Sequence, residues 1–351
     1  MLLHSISLSK FNFGASMDRR FFLTTAMAAA VHGYLHGRSG ADEPIPEDDS
    51  TGHFNLALPT QGGKQFWADE FYFHDMHIQR NVLSHHCRLL DGGNVRRAWG
   101  TFEQCHAKLR QIADEKSLPA MQGDAVVLLH GLFRSSSSMN DMARFLKEQG
   151  GYSVFNVSYP STRASISDHA QSLHRVLQSL EGIDNINIVA HSLGNIVLRQ
   201  YLTDQTRPEE QVQPDSRLRS MVMLGPPNQG SQLARTFSRT YLFRSLAGKS
   251  AVQLGKDLTA QDAKLATPSF PFGIIAGGHG DRGYNPWLTS DDDLIVTVES
   301  TRLAGASDFA VVPVMHTYIM DDPTVQQYTL QFFSHGYFIS PEQRNPIAAA
   351  Q

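Results

Sequence analysis

The chain has few cysteines and no excess of basic charge. Two cysteines in 351 residues cannot staple a disulfide scaffold or fill a four-thiolate zinc site. A formal charge of −4 argues against a nucleic-acid binder, whose footprint is a basic excess. The apolar run from Phe21 to Val31 falls short of the ~20 residues that cross a bilayer. What remains is an ordinary globular composition, 41% hydrophobic and 18% charged, with 27 Gly and 16 Pro. At ~100–200 residues per domain, the length suits one large domain or two ordinary ones.

Asp18-Arg19-Arg20 sets an arginine pair directly before that apolar run, and Ser39-Gly40-Ala41 offers small residues for cleavage. Residues 1–41 therefore read as an export signal of the twin-arginine type, with Met17 as an alternative start. Such a signal implies a location in the periplasm or cell envelope; a cytoplasmic protein with a buried first helix is the alternative. Residues 42–53, acidic from Asp42 to Asp49 and broken by Pro44 and Pro46, describe a solvated linker. Residues 54–120 form an N-terminal extension. One or two strands are expected between Lys64 and Gly100, where Met76 to Leu83 alternate roughly in and out, and then a helix around Thr101–Glu115. No internal repeat is visible.

From Ala125 onward the pattern changes to short β-branched runs separated by segments of helical period, the mark of a parallel sheet covered on both faces. Strands are predicted at Ala125–Leu129, Tyr152–Tyr159, Asn185–Ala190, Leu218–Leu224, Phe272–Ala276 and Phe309–Val314. Pro313 suits a strand end or a sheet edge. Met139, Met142, Phe145 and Leu146 mark one helix, and Ile166, Ala170, Leu173, Leu177 and Leu180 form the apolar stripe of another. A last helix is expected over Val325–Phe333. The fold class is thus α/β, a mostly parallel central sheet with helices on both faces, over residues 121–340, followed by a tail at 341–351.

Ala190-His191-Ser192-Leu193-Gly194 lies where the third of these strands gives way to a helix. A serine at a tight strand-to-helix turn is the context of a nucleophile elbow, with Ala190 in place of the usual first glycine. Attack on an ester carbonyl needs a base beside the hydroxyl, a group that orients the base, and donors for the developing oxyanion. Ser192 is the expected nucleophile. His316, just beyond the last strand, is the expected base, and Asp291-Asp292-Asp293 the source of the acid. His279 is a weaker rival base because it precedes that acid. His191 is expected to support the elbow rather than act as a base.

The segment from about Ala125 to His316 resembles the α/β-hydrolase superfamily, in particular bacterial lipase-like and glycosylphosphatidylinositol-deacylase-like esterases. The resemblance rests on His130-Gly131-Leu132 after a strand, on the elbow, on Gly225-Pro226-Pro227-Asn228-Gln229-Gly230-Ser231, and on Asp293 to Ser300 ahead of a strand and a histidine. It implies a triad in the chain order Ser192, Asp293, His316, with the backbone N–H groups of Leu132 and Leu193 as the oxyanion hole. In those relatives a glycine follows the acid. Here Leu294 does, so Asp292 stays a rival to Asp293.

The resemblance leans toward carboxylic esters, either acyl lipids or small esters, cleaved through an acyl-enzyme. No metal or organic cofactor is expected, nor a nucleic-acid partner; transient contact with a lipid surface fits the class, and the oligomeric state stays open. An acyltransferase with the same triad, an amidase, and a non-catalytic binding protein on the same fold are the alternatives. Between Gly230 and Pro271, apolar Leu233, Phe237, Tyr241 and Leu242 beside Arg235 and Arg239 suit a helix packed on the sheet or a lid. Cys87 and Cys105 read as reduced buried thiols, with a single disulfide after export as the alternative; the nearby His85, His86 and His106 show no metal-ligand spacing.

Overall fold

The computed structural model describes residues 65–206, 215–229, 265–280, 283–285 and 290–349, with the backbone of 58–59 and 64. The expected export signal, the acidic linker and most of the 230–271 segment lie outside the described residues. Residues 53–351 make one compact unit. Its described residues hold two sheets, one of five strands and one of six.

The five-stranded sheet is antiparallel and comprises β1 (Leu58–Pro59), β2 (Trp67–Phe73), β3 (Met76–Asn81), β4 (Cys87–Leu90) and β5 (Val95–Gly100). Helix α1 (Phe102–Glu115) covers one face, burying Cys105 and Leu109 against Met76, Ile78, Cys87 and Leu89. Thr101 starts this helix with a capping box shared with Gln104. Four strands thus occupy a stretch in which the sequence suggested one or two. Both cysteines are buried free thiols, and burial pushes Cys87 up to about 11 and Cys105 up to about 12, which keeps them protonated and poorly reactive.

The second sheet is parallel throughout, in the order β11-β10-β9-β8-β6-β7. Its strands are β6 (Gly123–Leu129), β7 (Ser153–Val157), β8 (Ile183–His191), β9 (Leu218–Leu224), β10 (Phe272–Gly277) and β11 (Asp308–Val312). Alternation along β6 sends Val126 and Leu128 to one core and Ala125, Val127 and Leu129 to the other. Helices α2 (Asn140–Gly150) and α5 (Pro323–His335) close the first core, and α3 (Ile166–Ser179) and α4 (Leu193–Gln205) the second. β11 is an edge strand and stops at Val312, directly before Pro313. Among the described residues, no helix is long and apolar enough to cross a membrane.

Asp69 ties the two sheets together. It is fully buried on β2, and its backbone N–H donates to the Ser158 carbonyl at 2.9 Å, just past β7. Its carboxylate accepts from the Ser158 N–H at 2.6 Å, the Tyr72 hydroxyl at 2.8 Å and Gln79 Nε2 at 2.8 Å. Three donors replace the water that a buried carboxylate would otherwise demand.

Candidate active site

β8 runs directly into α4, and the residue at the join is Ser192. Its φ of 52° and ψ of −116° lie outside the ordinary regions for a residue with a Cβ. The turn is held by the Ser192 N–H, which donates to the Leu224 carbonyl at 3.0 Å. It can form only because its surroundings are small. A Cβ on Gly194 would come within 2.7 Å of the Leu129 carbonyl oxygen, and one on Gly131 within 3.2 Å of the Ser192 Cβ. Leu193 opens the helix, so its N–H belongs to the first turn and has no partner within the helix.

Asp293 and His316 meet directly. The imidazole Nδ1 lies 2.6 Å from Asp293 Oδ2, and the His316 backbone N–H donates to the Asp293 carbonyl at 2.9 Å. Both residues are buried. The other carboxylate oxygen, Oδ1, accepts from the N–H groups of Ile295 at 3.0 Å and Val296 at 2.7 Å, which fixes its rotamer. A carboxylate can only accept, so Nδ1 carries a proton, and in the neutral imidazole Nε2 keeps its lone pair. Glycines frame this pair from beneath. A Cβ on Gly225 would stand 3.0 Å from His316 Nδ1, and one on Gly277 2.7 Å from the Asp293 Cβ.

His191, next to the serine, links it to His316. Its Nε2 donates to the His316 carbonyl at 3.1 Å, and the two rings lie 4.7 Å apart. Burial, reinforced by the neighbouring His316, holds its pKa well below the usual imidazole value. A neutral ring of this kind braces His316 without competing for its proton.

The three consecutive aspartates hold three different pieces of chain. Asp291 accepts from the N–H groups of His279 at 2.6 Å and Gly280 at 3.0 Å. Asp292 accepts through Oδ1 from Leu294 at 2.7 Å and Asn285 at 2.9 Å, and only Asp293 reaches an imidazole. Leu294, which occupies the place of the relatives' glycine, takes a φ of 94°. The backbone conformation that favours glycine is thus retained with a leucine in it, at a cost of about 1–3 kcal/mol. His279 is exposed and packs beside Tyr284 at 5.3 Å.

Asp292 carries the clearest charge strain at the site. Its Oδ2 is buried without a partner, and burial pushes its pKa up to about 6. The folded protein therefore binds this proton more tightly than the unfolded chain does. The resulting cost is absent below about pH 4, grows as pH rises toward 6, and is full above that, at about 1–3 kcal/mol. Asp292→Asn keeps the Oδ1 acceptor and removes the charge. The variant should melt higher than the parent at pH 8 and lose that advantage at pH 4, as thermal denaturation at the two pH values will show. A lower melting temperature at pH 8 would refute this account.

The loop after β6 is fixed by His130. This ring is fully buried, stacked on Tyr159 at 4.1 Å, and kept neutral because burial lowers its pKa to about 4. Its Nδ1–H donates to the Gly131 carbonyl at 2.9 Å, while Nε2 accepts from the Tyr159 N–H at 3.4 Å. The Arg134 N–H donates to the same Gly131 oxygen at 3.3 Å. In a trans peptide the N–H points opposite to the carbonyl, so pinning Gly131 C=O toward His130 turns the Leu132 N–H away from it. Phe133 follows at a φ of 58°, and Arg134 Nη2 donates to the Thr317 carbonyl at 3.0 Å, which joins this loop to the histidine loop.

A parallel sheet of this strand order, a serine at a strained turn between β8 and α4, and a His–Asp pair beyond β10 and β11 are the parts of one architecture. The chain has the α/β-hydrolase fold. Over residues 94–259 it matches the model of a family described as a domain of unknown function, DUF7379. No curated protein matches it. Similar solved structures include esterase B from Lactobacillus rhamnosis, at 14% identity over 90% of this chain and 93% of that one, with a TM-score of 0.45. A gene product of Listeria innocua is 16% identical over 65% of this chain and 99% of that one, with a TM-score of 0.41. The naproxen esterase of Bacillus subtilis is 14% identical over 76% of this chain and 90% of that one, with a TM-score of 0.36.

Proposed function

We propose that this α/β-hydrolase-fold protein is a serine hydrolase of carboxylic esters, with Ser192 as nucleophile, His316 as base and Asp293 as the group that orients it. The observation that carries this reading is the 2.6 Å contact of His316 Nδ1 with Asp293 Oδ2, which leaves Nε2 free to take a proton. In the proposed cycle the Ser192 oxygen attacks the ester carbonyl as its proton passes to Nε2. The tetrahedral intermediate collapses to an acyl-enzyme, and the departing alcohol takes that proton. Water, activated by the same nitrogen, then releases the acid and restores the serine.

The negative charge of the intermediate falls to the N–H groups of Leu132 and Leu193. Geometry favours Leu132 through the peptide orientation set by His130, and Leu193 through its place in the first turn of α4. His130→Phe keeps a ring against Tyr159 but deletes the Nδ1–H. It should lower kcat by about 10- to 100-fold with little change in KM, since the missing order matters only once charge develops. A KM effect without a kcat effect would mean that His130 serves the fold alone.

An acyl substrate is supported by exposed apolar side chains close in sequence to the proposed reacting groups. Phe133, Met315 and Tyr318 are 38%, 37% and 55% exposed, and they follow Leu132 and flank His316 in sequence. The test is a panel of p-nitrophenyl esters set against matched anilides, together with labelling by a fluorophosphonate. Turnover of esters and a label on Ser192 are expected. A folded protein that neither turns over esters nor takes the label would leave the fold without this activity.

A further inference from the structure

We propose that the five-stranded sheet carries a binding site for a phosphate group, formed by Arg88 and Arg96 on the face opposite α1. Register places the two arginines there. Asp69 pairs with Gln79, Gln79 with Arg88 and Arg88 with Trp99, giving one row across β2 to β5. Arg96 pairs with Leu90, two residues along β4 from Arg88, so both side chains stand on the same face. Each guanidinium is seated on an indole: Arg88 Cζ lies 4.0 Å from the Trp67 ring centroid and Arg96 Cζ 5.2 Å from that of Trp99. A guanidinium stacked in this way keeps the N–H groups of its edge for partners in its own plane: Arg88 spends Nε and Nη2 on Gln79 and retains Nη1, and Arg96 retains its whole fork, which suits the oxygens of a phosphate.

The charges on this face do not balance. Arg88 donates through Nε and Nη2 to Gln79 Oε1 at 3.0 and 2.8 Å, and Gln79 Nε2 donates to Asp69 Oδ1 at 2.8 Å. One carboxylate, already shared with Tyr72 and Ser158, is thus relayed to one arginine. The Arg96 side chain has no hydrogen bond or ion pair among the described residues beyond its indole contact. Neighbouring arginines of the same sheet are matched: Arg80, on the α1 face, meets Glu70 at 2.8 Å, and Arg97, at the irregularity in β5, meets Asp91 at 2.7 Å. Burial and the neighbouring Arg96 together lower the Arg88 pKa to about 10, against the pull of Asp69. An anion held between the two arginines would relieve that repulsion. Gln65, two residues before Trp67, donates through Nε2 to the Arg134 carbonyl at 2.9 Å, which joins the start of β2 to the loop after β6.

Tryptophan fluorescence reads this site directly. The chain has three tryptophans, two of them beneath the arginines, so Trp287→Phe leaves only the reporters. Two probes separate the sources of phosphate: glycerol 3-phosphate in solution, and vesicles of phosphatidylglycerol in phosphatidylcholine against phosphatidylcholine alone. A saturable change that weakens with added salt is expected. A response to glycerol 3-phosphate supports a soluble ligand, and one confined to the anionic vesicles supports a lipid headgroup. Arg96→Gln should weaken binding at least about tenfold while leaving the melting temperature unchanged, since it breaks no hydrogen bond. Arg96→Lys keeps the charge but loses the fork, and should bind between the two. No response to either probe, or equal responses in parent and Arg96→Gln, would overturn the site.

Discussion

Ser192→Ala is expected to lower ester turnover by about 10⁴-fold or more while the protein stays folded. The chemical loss is large because nothing else near the elbow can take over the attack. His191 is neutral and engaged with the His316 carbonyl, and both thiols are buried between α1 and the other sheet with raised pKa values. The structural loss is small for a separate reason. Ser192 holds the turn through its backbone, by the bond to Leu224, and its hydroxyl makes no hydrogen bond among the described residues. Alanine also inherits the φ of 52°, so the strain of the elbow persists. Ser192→Gly relieves that strain and should melt higher than Ser192→Ala, although both are inactive. Near-normal esterase rates in either variant would remove Ser192 from the chemistry. Equal melting temperatures would show that the turn stores no strain.

The parallel sheet was legible in the sequence because its strands are buried on both faces, and an unbroken run such as Ala125–Leu129 needs no alternation to be recognised. Helix α3 was legible for a different reason, its apolar stripe stepping by three or four residues. The antiparallel sheet was read as too few strands. Its face opposite α1 carries Asp69, Gln79 and Arg88, polar side chains that form a hydrogen-bonded row and of which Asp69 and Gln79 are buried, so the apolar/polar alternation fails where the strands are most regular. Irregularities between Asp69 and Phe71 and between Leu89 and Leu90 shift the period again. At the site, residue order pointed to the two loops that bring Asp293 and His316 together. It could not choose among three adjacent aspartates, because the choice depends on which carboxylate the turn aims at the imidazole. Leu294 appeared to argue against Asp293 only on the assumption that a glycine conformation needs a glycine. The close approaches of Gly225 and Gly277 to the His–Asp pair involve residues distant in the chain, which spacing cannot reveal.

Asp293→Asn tests the orienting group more sharply than a truncation would. The substitution keeps Oδ1, so the bonds from Ile295 and Val296 survive, and the His316 N–H still donates to the carbonyl of residue 293. What changes is the partner of His316 Nδ1. An amide nitrogen in place of Oδ2 can only donate, so Nδ1 must accept and the imidazole proton moves to Nε2. The base then faces the serine with its proton already in place and has no lone pair to offer. Turnover should fall by about 10⁴-fold, with the melting temperature within a few degrees of the parent. Asp292→Asn, one residue away, disturbs neither Nδ1 nor its tautomer and should retain turnover within a few-fold of the parent at pH 8. Measuring kcat/KM and thermal melts for the two variants side by side separates orientation from charge, because each removes one carboxylate from the same buried loop. A reversal, with Asp292→Asn inactive and Asp293→Asn active, would move the orienting role to the neighbouring aspartate and mean that the 2.6 Å contact does not serve the chemistry.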